Sequence, residues 1–133
     1  MPRILITGLS AAICDTDALR RLLTLDVPMA VEKVDGFAIS RDHVYVHALP
    51  DLIQRPSTVV TFAVEGLIAR PERTAGMRHA LCSSVADAIA AYMQRTDSRY
   101  ESIIGWCARI DRDDDGFVRR MCPGPRPDPE ATG

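Results

Sequence analysis

The second residue of the chain is the first whose chemistry could support catalysis, because a proline directly follows the initiator methionine. Removal of Met1 would expose the Pro2 nitrogen as a secondary amine. An apolar, cation-lined pocket pushes such an amine toward its neutral form, because burial and nearby positive charge both disfavour the ammonium. A neutral amine near neutral pH is a general base that can move a proton beside a carbonyl. Pro2 is therefore a candidate catalytic residue.

Two arginines, Arg70 and Arg73, come just before a long amphipathic segment. Guanidinium groups bind carboxylates bidentately and stabilise a developing enolate. Thr74 follows directly and is the natural N-cap of the next helix, where it would also favour anion binding. We predict Arg73 as a catalytic residue and Arg70 as a substrate-binding residue. The alternative is that both are solvated loop charges.

Three aromatic residues are candidates for the wall of a binding pocket. Trp106 lies in a strand-like segment, and Phe117 follows an Asp-Gly turn. Tyr45 and His47 share a strand face by their spacing, so that either could donate to a substrate oxygen. We predict Trp106, Phe117 and Tyr45 as substrate-binding residues, with core or interface packing as the competing interpretation.

The elements that must position these residues follow one order twice. In the first half, Arg3–Thr7 predicts a strand, and residues 15–17 offer a helix N-cap signal. The helix that follows is expected to be short or irregular because Pro28 interrupts it. Phe37–Ile39 and Val44–His47 have the composition of strands.

The second half repeats this order more clearly. Thr58–Val64 predicts a strand, and Ser102–Ile110 predicts another. Between them an amphipathic helix is expected to run to about Arg95, because apolar residues recur at helical spacing. Phe117–Val118 indicates a short hairpin arm. The helical stripe comprises Met77, Leu81, Val85, Ala88 or Ile89, and Tyr92.

These elements predict an α/β (α+β) fold, a tandem β-α-β repeat with units at about residues 2–48 and 57–118. The four strands would form a mixed sheet with two helices on one face. The other sheet face would be bare and would need an oligomer to cover it. We expect a single domain over residues 1–121, and a flexible Pro- and Gly-rich tail over residues 122–133.

The second half also resembles a known family. Val64-Glu65-Gly66, then Arg73-Thr74, then Val85–Ile89 and then Ser102–Ile104 are similar to the 4-oxalocrotonate tautomerase unit. In that unit a strand ends in Glu-Gly, and an arginine precedes a Ser/Thr helix cap. Arg70–Thr74 also resembles the arginine pair of malonate semialdehyde decarboxylase. The resemblance covers about residues 2–120 and suggests a fused, two-unit member of the tautomerase superfamily.

This resemblance implies a homotrimer, an active site around Pro2 and no cofactor. The activity it implies is keto–enol tautomerisation of a small carboxylate-bearing 2-oxo acid, with Pro2 as general base. A related decarboxylase or dehalogenase with Pro2 as general acid is one alternative, and a catalytically inactive trimeric homologue is another. An unrelated small α/β interaction module is the third. Ile104 stands where the tautomerase unit carries an arginine.

Composition excludes several other classes. The net charge of −2 argues against general nucleic-acid binding, which needs a basic surface. No apolar run is long enough to span a membrane, and the N-terminus does not have the pattern of a signal peptide, so we expect the cytoplasm. The four cysteines are expected to be free thiols, with Cys82 and Cys107 in the core. Residues 111–115 look like the start of a calcium loop, but no glutamate ends it and no helix follows, so no metal is expected.

Overall fold

The computed structural model describes residues 2–10, 16–51, 59–67, 74–107 and 115–122. Within these ranges the chain forms one sheet of five strands in the order β2-β1-β3-β4-β5. The strands are β1 (Arg3–Ser10), β2 (Tyr45–Asp51), β3 (Val59–Glu65), β4 (Ser102–Cys107) and β5 (Asp115–Met121). No helix of the described ranges is long and apolar enough to cross a membrane.

The sheet is mixed, as the tandem repeat requires. Strand β1 pairs with β2 in parallel, and β3 pairs with β4 in parallel, so each pair is joined by a helical crossover. The two units meet where β1 and β3 pair antiparallel. The predicted fold class is therefore confirmed. The strand count is corrected from four to five, because the expected hairpin arm at Phe117–Val118 extends into β5, which pairs antiparallel with β4.

The first helical segment does not stop at Pro28. It runs through α1 (Thr16–Arg21), a π-helical turn (Leu22–Asp26) and α2 (Val27–Glu32). Pro28 lies in the first turn of α2, directly after the π-helical turn, and it has no backbone N–H to donate to a carbonyl of that turn. The expectation of an irregular first helix is thus confirmed: the segment stays helical, but the wide π turn directly ahead of Pro28 interrupts its α-helical hydrogen bonding.

The second helix, α3 (Ala75–Arg95), matches its prediction closely. Thr74 caps it as expected, because its hydroxyl accepts a hydrogen bond from the backbone N–H of Met77 at 3.2 Å. The helix ends at Arg95, and its buried face carries Leu81 and Val85 from the predicted stripe.

Phe37–Ile39 is not a strand. Phe37 is buried, but it lies in a bend, and Ala38 has a φ of 53°, which the extended conformation of a strand excludes. The apolar composition of this segment therefore reflects the burial of Phe37, which anchors the connection between α2 and β2 in the core. Strand β1 is longer than predicted and continues past Gly8, where its pairing with β2 shifts register.

Both helical segments pack on one face of the sheet. Residues of β3 alternate between buried and partly exposed, and its buried members Val60, Phe62 and Val64 join the helices in a single core. The opposite face, here called the helix-free face, carries Tyr45, Leu49 and Val59, with exposed fractions of 48%, 60% and 39%. The expectation that one sheet face is left without helices is therefore met in the described residues.

Gly105 on β4 permits the closest packing in this core. A Cβ atom at this position would overlap the ring of Phe62, its cross-strand partner on β3. The ring of Phe62 therefore occupies the space that a side chain at position 105 would need.

Candidate functional site

Pro2 is buried at the start of the strand that joins the two units. Its carbonyl accepts a hydrogen bond from the backbone N–H of Tyr45 at 3.1 Å, which fixes Pro2 beside the first residue of β2. One residue later, Arg3 pairs with Tyr45 on one side and with Glu65 of β3 on the other. The position of Pro2 is therefore determined by both neighbouring strands.

The ends of several strands meet at this end of the sheet. Because β1 is antiparallel to β3, and β3 is parallel to β4, the first residues of β1 lie beside the last residues of β3 and β4. The row Ile4, Val64 and Cys107 runs straight across these three strands. Helix α3 returns antiparallel to the strands it joins, so its N-terminus lies at this same end. We call this end of the sheet the proline edge.

An ion pair borders Pro2 on the other face of the sheet. A guanidinium nitrogen of Arg3 donates to a carboxylate oxygen of Glu65 at 2.6 Å, and both side chains are partly exposed. Exposed pairs of this kind contribute little to stability. The pair joins two residues that lie opposite each other on β1 and β3, next to Pro2.

The predicted aromatic residues occupy different places around the proline edge. Tyr45 begins β2, and its backbone contacts Pro2, while its side chain lies half-exposed on the helix-free face. Trp106 is the penultimate residue of β4, is partly buried, and pairs with Ala63 on the helix-free face. Phe117 lies in β5 between the partners of Cys107 and Gly105. All three remain predictions as substrate-binding residues.

Arg70 and Arg73 lie outside the described residues, so their roles also remain predictions. What the structure describes is the helix start that follows them. Thr74 caps a helix of 21 residues whose N-terminus lies at the proline edge. Such an N-terminus carries a partial positive charge and unsatisfied N–H groups, which favour an anion nearby.

Arg78 is a buried cation that the sequence reading did not select. It lies in α3, one turn after the Thr74 cap, and is only 8% exposed. Arginine is almost never so deeply buried unless other groups compensate its charge. The signal was present in the sequence, because Arg78 stands three and four residues before Leu81 and Cys82 on the apolar stripe of the helix.

Two free cysteines meet beneath this turn of α3. Cys82 and Cys107 are both fully buried, and their Sγ atoms lie 3.3 Å apart. Cys107 also donates a weak hydrogen bond from its thiol to the carbonyl of Arg78 at 3.8 Å. The hydrogen bond to Cys107, then burial and the proximity of a second thiolate, raise the pKa of Cys82 above its ordinary value. Both thiols are thus in the core, as predicted.

Sequence comparison finds no protein-family model and no curated protein that matches the chain. Structural comparison does find matches. A fused 4-OT wild-type protein, a symmetric trimer, superposes with a TM-score of 0.60 at 12% identity, over 84% of this chain and 88% of the other. A 5-carboxymethyl-2-hydroxymuconate delta-isomerase superposes with a TM-score of 0.58 at 13% identity, over 85% and 86%.

A third match broadens the group. The macrophage migration inhibitory factor-like protein of Entamoeba histolytica superposes with a TM-score of 0.52 at 8% identity, over 88% of this chain and 98% of the other. At these identities the likeness concerns the fold. It spans most of both chains in each case, so the whole arrangement of strands and helices is shared and not one repeat alone.

Proposed function

We propose that this chain, whose fold is that of the tautomerases, is a cofactor-independent isomerase that uses Pro2 as its general base. The reaction is keto–enol tautomerisation of a small 2-oxo acid. The fold itself is shared with structures that include a delta-isomerase and fused 4-OT proteins. The catalytic assignment goes further than the fold and rests on the placement of Pro2.

The observation that carries the proposal is the burial of Pro2 at the proline edge. Burial disfavours the charged form of an amine, and we expect Arg78, a buried cation in the first turn of α3 at the same edge, to act in the same direction. Both effects favour a neutral amine over an ammonium. They therefore support Pro2 as a base and speak against the alternative in which it donates a proton in a decarboxylase or dehalogenase.

The proposed step is a proton transfer within the substrate. The Pro2 nitrogen takes a proton from the carbon beside the 2-oxo carbonyl, which leaves an enolate, and the resulting ammonium returns the proton to the enolate oxygen. Negative charge develops on that oxygen, so nearby cations lower the barrier. We propose that role for Arg73, and binding of the substrate carboxylate for Arg70, which both precede the helix in the sequence.

The proposal requires that Met1 be removed. While Met1 is attached, the Pro2 nitrogen is an amide nitrogen with no available lone pair and cannot act as a base. Mass spectrometry of the purified protein should therefore show a chain that begins at Pro2. A chain that retains Met1 would contradict the mechanism directly.

The test is the conversion of phenylpyruvate between its enol and keto forms. We expect Pro2→Ala to lower kcat/KM by roughly 10²–10⁴-fold, the usual contribution of a positioned general base. Pro50→Ala is the matched control, because Pro50 lies exposed near the end of β2, far along the strand from Pro2, and should keep full activity.

A second variant separates the amine from the proline ring. One extra residue ahead of Pro2 keeps the ring and converts the amine into an amide, so it should reduce activity as strongly as Pro2→Ala does. Circular dichroism confirms that the fold is kept. Activity that is unaffected by both changes would overturn the role of Pro2, whereas a wild-type protein without activity would favour the inactive-homologue interpretation.

We also propose that three copies associate through the helix-free face. Tyr45, Leu49 and Val59 expose apolar surface there. One edge of the sheet is β2, whose outer backbone groups pair with no other described strand. A second copy covers both features at once. The fused 4-OT proteins of the same fold are trimers, which supports this number of copies.

Sedimentation equilibrium tests the trimer. Leu49→Glu should shift the mass from three chains toward one, because a charge on the helix-free face opposes its burial. Met29→Glu is the matched control, since Met29 is 44% exposed on α2 in the helical layer and should leave the mass unchanged. A wild-type protein that is monomeric at high concentration would refute the assembly.

A further inference from the structure

The pair formed by Cys82 and Cys107 has no part in the proposed proton transfer. Cys82 lies in the second turn of α3, and Cys107 ends β4, so the two thiols face each other across the layer between helix and sheet. Their Sγ atoms are 3.3 Å apart, and neither side chain is exposed. A disulfide requires a separation of about 2.05 Å, so the sulfurs must approach by about 1.3 Å.

We propose that Cys82 and Cys107 form an internal, reversible disulfide that ties α3 to β4 under oxidising conditions. The two residues are 25 positions apart in the chain, so the bond closes a loop that contains most of α3 and the connection to β4. Such a bond restricts the unfolded chain and stabilises the folded one. The inference does not depend on the chemistry of Pro2.

Hydrogen peroxide, or another peroxide of similar size, is the oxidant that suits this site. A thiolate attacks one peroxide oxygen and becomes a sulfenic acid, while the second oxygen leaves as hydroxide and takes up the thiol proton as water. The second thiol then attacks the sulfenic sulfur, forms the S–S bond and releases another water. Overall, two thiols and one peroxide give one disulfide and two waters. A bulky disulfide reagent would first have to form a mixed disulfide inside the core.

Burial slows both the oxidation of the two thiols and the reduction of the disulfide. The thiolate is the attacking form, and the raised pKa of Cys82 keeps that form scarce in the closed core. Oxidation therefore proceeds through brief openings of α3 away from β4. The same burial shields the finished bond from reductants, so once formed it should persist in the folded protein longer than an exposed disulfide would.

The experiment uses the full chain with Cys14→Ser and Cys122→Ser, which leaves only the proposed pair. The protein is oxidised with hydrogen peroxide, quenched, denatured and alkylated. We expect a mass lower by two hydrogen atoms, no alkylated thiols, and one peptide that links the two cysteines. The thermal midpoint should rise by roughly 10 °C relative to the reduced protein.

Cys82→Ala in the same background is the matched control. It should form no crosslink within the chain and show no rise in midpoint, although its remaining thiol can still gain oxygen. If this variant does not fold, the reduced and oxidised forms of the parent provide the comparison. Two thiols that remain alkylatable, or that gain oxygen without a crosslink, would overturn the proposal, as would bonds formed only between chains.

Discussion

The two β-α-β units of this chain share an order of elements but differ in how their helices are built. In the second unit, α3 is one uninterrupted helix of 21 residues that packs on β4 and β5. In the first unit, the crossover is divided into α1, a π-helical turn and α2. The same topology is thus reached once by a regular helix and once by an irregular one.

The irregular crossover is held largely by the regular helix. Helix α2 packs mainly against α3 and touches β2 only lightly. The hydroxyl of Ser84 on α3 donates to the carbonyl of Ala30 on α2 at 2.7 Å in a buried position. The second unit therefore acts as the framework, while the first unit contributes Pro2 and the exposed edge. Three pairs of substitutions test this division.

Substitutions that add or remove a proline should give the largest difference between the two units in the free energy of unfolding. In α3, Ala88→Pro removes a backbone hydrogen bond and clashes with the preceding turn, so we expect it to lower the free energy of unfolding by about 3 kcal/mol or more. In α2, Pro28→Ala should change it by only about 1 kcal/mol or less, because the π turn already accommodates the proline and the new N–H can restore at most one helical hydrogen bond. Urea unfolding followed by circular dichroism measures both.

A small effect of Ala88→Pro would show that α3 tolerates a break and is not the framework. Ala88→Gly serves as its control, because it weakens the helix by about 1 kcal/mol without a steric clash. A large effect of Pro28→Ala would show instead that the proline itself holds the π turn in place.

Truncation of a buried leucine should give an intermediate difference between the two units in the free energy of unfolding. Leu81 on α3 and Leu22 in the π turn are both fully buried. We expect Leu81→Ala to destabilise by about 4 kcal/mol and Leu22→Ala by about 2–3 kcal/mol, because the divided crossover can relax into the space and the regular helix cannot. Equal values from urea unfolding would mean that both units are equally rigid.

The sequence predicts the regular α3 well and the irregular first crossover poorly. The bounds of α3 could be read from the sequence, because one N-cap at Thr74 and one apolar stripe specify a regular helix. The π turn could not, because Pro28 indicates a local break and does not reveal that the chain remains helical around it. The extent of β5 was missed since Phe117–Val118 is short, and the polar residues beside it, Arg119 and Arg120, give no apolar pattern that would indicate a strand.

The candidate site was predictable in part. Pro2 is identified by its position after Met1, and the apolar, β-branched residues that follow it predict its strand. Arg78 was not selected, because an arginine among apolar residues is usually read as a solvated helix position. The meeting of Cys82 and Cys107 depends on how α3 is placed over β4, and their sequence separation of 25 carries no such information.

The smallest effect on the free energy of unfolding is expected at the ion pair that joins the two units. Arg95, the last residue of α3, donates to a carboxylate oxygen of Asp26 in the π turn at 2.7 Å, and the Asp26 side chain is only 17% exposed. Asp26 also pairs with Arg21 at 3.5 Å. Because Arg95 is partly exposed, we expect Arg95→Gln to destabilise by only about 0.5 kcal/mol. Arg99→Gln, on an exposed arginine beyond the helix, is the control.

A double-mutant cycle with Asp26→Asn isolates this contact from other effects of each change. A coupling of about 0.5 kcal/mol that falls as salt is raised would show that the contact is a screened surface pair. A coupling well above 1 kcal/mol that salt does not reduce would mean that the end of α3 anchors the π turn. The second unit would then hold the first by charge as well as by packing.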